Sequence, residues 1–68
     1  MKNIKWTNKW SHEVGYVGSI SKVKGYFTSV SDQSQARKFR SEKEIATAMK
    51  TLESFGEFEL NEFEAVEL

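Results

Sequence analysis

A serine-hydrolase triad needs a histidine, an aspartate and a hydroxyl, and this 68-residue chain has one histidine, His12, and one aspartate, Asp32. Any triad would have to use both of them together with one of several serines. His12 sits in Ser11-His12-Glu13, a polar stretch that reads as an exposed loop. Metal binding has no better footing. Cysteine is absent, which removes disulfides and thiolate zinc sites, and the single histidine excludes a helical His-x-x-x-His pair. A phosphate loop would need a glycine-rich turn opening a helix with a lysine, and Gly15 and Gly18 are followed by neither. The chain is therefore expected to be non-enzymatic, with no catalytic residue, cofactor or metal.

Charge carries more information. Residues 1–43 hold nine Lys or Arg against three acids, a net +6, while residues 44–68 hold Lys50 against seven glutamates, a net −6. A total of zero thus conceals a dipole. One consequence is a cross-strand charge ladder that blunts edge-to-edge aggregation. The sharper one is an acidic comb for partner binding made by Glu57, Glu59, Glu62 and Glu64. With Glu57 and Glu59 on one face of a strand, carboxylates would repeat every ~6.6 Å and suit a basic groove that normally holds nucleic acid. The opposite surface, Arg37, Lys38, Arg40 and Lys43 beside Tyr26 and Phe27, would suit phosphates with aromatic stacking. Overall neutrality weighs against this nucleic-acid alternative, because non-specific binding depends on excess positive charge.

These groups need elements to carry them. Ile4 to Trp10 reads as a first strand with Ile4, Trp6 and Trp10 on one face. Val14–Val23 and Tyr26–Val30 are β-branched and aromatic and read as a hairpin, joined by Lys24-Gly25 or by Val23-Lys24-Gly25. Ser31 to Ser34 is a turn cluster that can start a short helical turn reaching Ala36. Phe39, alone among Arg37, Lys38 and Arg40, reads as an anchor pinning a crossing segment to the core. Ser41 and Glu44 form a capping box, and Ile45, Ala48, Met49, Leu52 and Phe55 recur on one helical face up to Gly56, a left-handed cap. The helix is expected over 42–55. Phe58 and Leu60 then alternate with Glu57, Glu59 and Asn61 as a half-buried strand would, while Phe63 and Val66 fall out of phase, predicting a bulge near Asn61 and Glu62.

The expected class is α+β: a small antiparallel sheet of three to four strands with one helix packed on one face, in β-β-β-α-β order. Residues 1–68 are read as one domain, since a chain this short buries only roughly 60% of its unfolded surface in one modest core. Leu, Ile, Val and Phe make up 16 of 68 residues, enough to take the chain out of the disordered range. Without disulfides the nine aromatic residues, or a homodimer, must supply the missing burial. No apolar run approaches the ~20 residues of a membrane span, and no signal-peptide segment opens the chain, so the expected location is the cytoplasm.

The Trp-bearing first strand, Gly15-Tyr16-Val17, the Gly25-Tyr26-Phe27 return and Asp32 to Glu44 before a helix resemble small accessory proteins of bacterial phages and prophages. The likeness covers most of the chain, and its motif, Ala36, Phe39 and the cap at Ser41, is structural. It implies a non-virion phage product acting in the host cytoplasm on a host protein, a class that includes inhibitors of host defence. It carries over no functional residue.

Overall fold

Polar turns separate four extended runs, and in the computed structural model, which describes Met1–Leu68, each run becomes a strand of one antiparallel sheet. The strands are β1 (Lys2–Asn8), β2 (Val14–Ser21), β3 (Tyr26–Val30) and β4 (Asn61–Glu67), in the spatial order β3-β2-β1-β4. One helix, α1 (Glu42–Ser54), follows β3, and two 3₁₀ turns, Gln33–Gln35 and Glu57–Glu59, flank it in sequence. The fold is α+β, with the helix against one face of the sheet.

The helix starts where the capping box predicts. The Ser41 hydroxyl accepts from the Glu44 amide at 3.2 Å, and the Glu44 carboxylate reaches back to the Arg40 amide at 2.8 Å. Gly56, at φ 80°, takes the left-handed conformation just past the helix. Ile45, Ala48 and Leu52 are buried, with Met49 packed beside them, against Ile4 of β1 and Val17 of β2. Burying each of the larger side chains contributes about 1.5–3 kcal/mol, far more than helix propensity does.

Phe39 occupies a gap in the sheet. β1 and β2 pair only at Lys5↔Tyr16, Trp6↔Gly15 and Thr7↔Val14. Beyond those pairs the strands splay, and Arg37 to Phe39 enters between them. The Arg37 amide donates to the Val17 carbonyl at 3.0 Å, and Lys2 and Phe39 exchange hydrogen bonds of 3.0 and 2.8 Å. Asn3, fully buried, donates through Nδ2 to the Arg37 carbonyl at 2.8 Å. The wedge satisfies backbone groups that the splay would orphan and delivers the Phe39 ring, 1% exposed, to the core.

A bulge in β2 lets one hairpin serve that core along its whole length. Val17 and Ile20 lie three residues apart, so in a regular strand they would face opposite sides. The register shifts between Val17 and Ser19, around Gly18, and Ile20 returns to the face of Val17. At the sheet's two edges, Phe27 of β3 and Phe63 of β4 meet edge to face with ring centroids 5.6 Å apart, and Phe58 lies 5.5 Å from Phe63. Contact between the outermost strands means that the sheet curls around its inner face.

Four expectations are corrected. The hairpin is closed by a four-residue loop, Lys22 to Gly25, because Ser21 pairs with Tyr26 and its carbonyl accepts from Gly25 at φ 76°. Trp10 leaves the face of Ile4 and Trp6, because β1 ends at Asn8, and its side chain lies 70% exposed. Residues Glu57 to Glu59 form a 3₁₀ turn, so Phe58 and Leu60 belong to no strand. β4 begins at Asn61 and pairs with β1 without interruption from Asn8↔Asn61 to Lys2↔Glu67. The phase change read as a bulge near Asn61 and Glu62 is therefore a junction between turn and strand, and the bulge lies in β2.

Candidate interaction surfaces

The four glutamates expected to form a comb are split by that junction. Glu62 and Glu64 are exposed on β4, two residues apart and hence on one face, opposite Thr7 and Lys5 of β1. Glu59 is exposed on the turn, and Glu57 is half-buried with its carboxylate accepting from Asn61 Nδ2 at 3.2 Å. The arrangement is a short two-carboxylate row on the strand with two more carboxylates on the turn leading into it.

The β1–β2 loop is tied to that turn. Lys9 donates its amide to the Leu60 carbonyl at 2.9 Å and its ammonium to the Phe58 carbonyl at 2.6 Å. Asn8 organises the loop, its Oδ1 accepting from the amides of Trp10 at 2.9 Å and Ser11 at 2.8 Å. Its backbone carbonyl accepts from His12, which sits in the left-handed region at φ 64°. Trp10 and Leu60, the latter 52% exposed, thus stand at one end of the sheet on mutually fastened segments. Sequence reading placed Trp10 in the first strand and missed this role; its signal was an isolated indole between Lys9 and Ser11.

The basic residues form no single face. Arg37 and Lys43 line a cleft between β2 and α1 together with Lys22, whereas Arg40 lines a second depression with Met1, Lys2 and Glu67. Phe27, expected to stack on bases, is half-buried in the aromatic cluster with Phe63, while Tyr26 is exposed. The Arg37 guanidinium lies 5.0 Å from the centre of the Phe39 ring.

His12 and Asp32 occupy separate loops. The Asp32 carboxylate accepts from the Ser34 amide at 2.9 Å and the Ser34 hydroxyl at 2.8 Å, and these bonds, the backbone one first, hold it below the usual carboxylate range. It caps the first 3₁₀ turn. No group of three His, Asp or Glu side chains converges to hold a metal ion, and no helix is long and apolar enough to cross a membrane. No protein-family model matches the chain, and no curated protein or solved structure is significantly similar to it.

Proposed function

We propose that this chain is a non-enzymatic phage or prophage factor that binds and inhibits a host protein, using the end of the sheet where the β1–β2 loop meets the second 3₁₀ turn. The observation that carries the reading is Trp10, 70% exposed on a loop held by the hydrogen bonds of Asn8 and Lys9. An indole held out in water on a loop with a fastened backbone suits a binding anchor, and Trp is among the residues that dominate interface energetics. Glu59, Glu62 and Glu64, free of ion pairs, supply the charged surroundings, so the partner surface is basic around an apolar socket. The phage assignment rests on the sequence resemblance. Nucleic acid has less support as the partner, since net charge is zero and the cations are divided between two depressions.

The test is quantitative capture from host lysate by three proteins: wild type, Trp10→Ala, and the quadruple Gln variant at Glu57, Glu59, Glu62 and Glu64. A basic partner retained by wild type, weakened about 30-fold or more by Trp10→Ala and lost with the Gln variant, at unchanged melting temperature, supports the proposal. Equal retention by all three removes it. So does a wild-type dimer that Trp10→Ala dissociates, which would assign the surface to a second copy of the chain.

A further inference from the structure

We infer that the cleft between β2 and the exposed side of α1 is a binding site for a small phosphate-bearing ligand of about nucleotide size. Its volume, about 560 Å³, lies within the range of small-molecule sites. Three cations converge on it from three separate parts of the chain: Lys22 from the hairpin loop, Arg37 from the wedge, and Lys43 from the first turn of the helix. None is in a salt bridge, the ion pairs of the chain being those of Lys2 with Glu42 and Glu67. Cations in excess over carboxylates give the cleft a positive potential that favours a multiply charged anion.

The one carboxylate in the lining, Glu44, offsets one of the three cations, so the lining keeps a net charge of +2. Its carboxylate accepts from the Arg40 amide, one residue before the Ser41 cap, at 2.8 Å and is in no ion pair with the three cations. Arg37 is pre-positioned at both levels: its backbone is fixed by Val17 and Asn3, and its guanidinium rests against Phe39. An arginine so placed presents a planar fork suited to phosphate oxygens. Ile20 and Ala48 supply an apolar wall beside the cations. A group with a charged end and a flat, weakly polar body fits that combination. The cleft is distinct from the acidic end that carries Trp10 and does not depend on the function proposed for it.

The experiment is calorimetric titration with ADP and with inorganic pyrophosphate at about 50 mM salt, using wild type and Lys22→Gln, Lys43→Gln, Lys38→Gln and Trp10→Ala. Lys22 and Lys43 are exposed, so their replacement leaves the fold intact. The expected result is saturable ADP binding with pyrophosphate competing for it. Lys22→Gln and Lys43→Gln should each weaken ADP tenfold or more, with Lys38→Gln, outside the cleft, and Trp10→Ala unchanged. Absence of saturable binding by either probe overturns the inference, as does binding that the two cleft variants leave intact. A single-stranded oligonucleotide that binds more tightly than ADP and is weakened equally by Lys38→Gln would also overturn it, in favour of a polymer track.

Discussion

Gly15 and Trp6 are cross-strand partners, and the indole covers the space a side chain at position 15 would need, so replacing the glycine measures that packing. A Cβ at position 15 would lie 2.7, 2.7 and 2.8 Å from Cζ2, Nε1 and Cε2 of the Trp6 indole, against an ordinary contact of at least 3.4 Å. The ring must retreat by about 0.7 Å. It belongs to the same face as Ile4, which is fully buried, so the retreat disturbs the core. Overpacking of this kind costs about 1–3 kcal/mol, a large share of the roughly 3–10 kcal/mol expected for a chain of this length. Gly15→Ala should therefore lower the melting temperature by about 5–20 °C. In a Trp6→Leu background the obstructing ring atoms are gone, and the same substitution becomes neutral or stabilising by about 0.5–1 kcal/mol, since alanine is less costly than glycine to order in a strand. The double-mutant cycle, read by urea unfolding and far-ultraviolet circular dichroism, should show a coupling of about 1–4 kcal/mol. If Gly15→Ala costs the same in both backgrounds within about 0.5 kcal/mol, the ring does not govern position 15 and the packing argument fails.

Two further expectations concern the loops. His12 holds a left-handed backbone at φ 64°, so His12→Gly should stabilise the protein by about 0.5–1 kcal/mol in urea titration; a loss of stability would show that the imidazole makes a contact stronger than the strain. Asp32 is held below its ordinary titration range by the Ser34 bonds, so its contribution is present above the ordinary aspartate range and is lost as pH falls through and below it. The stability difference between wild type and Asp32→Asn should accordingly shrink between about pH 5 and pH 2, and a difference that grows on acidification would reverse the assigned sign.

Two lone aromatics show where sequence reading stops. Phe39 stands among Arg37, Lys38 and Arg40, and Trp10 stands between Lys9 and Ser11, so each is a large apolar residue in a polar stretch. One ends 1% exposed and the other 70% exposed. The gap between β1 and β2 that admits Phe39 exists because those strands splay after three pairs, a property of sheet twist and closure that no local window contains. The candidate site shares this limit. Arg37 and Lys43 were legible as basic, but their meeting with Lys22 depends on the wedge fastening Arg37 to Val17, midway along β2.

The helix was determined by sequence alone, because its signals are local: the Ser41 cap, the buried stripe through Ile45, Ala48 and Leu52, and Gly56 at its end all lie within one window. Asp32, Ala36 and the short turn between them are equally local. The α+β class followed from the change of period between strands and helix. What only the tertiary structure decided was phase. A 3₁₀ turn and a strand both tolerate Glu57-Phe58-Glu59, and docking of Phe58 on Phe63, with Lys9 donating to the Phe58 carbonyl, selects the turn. The bulge at Gly18 was likewise chosen by the need to bring Ile20 round to Val17, a demand made by the shared core rather than by the residues of β2.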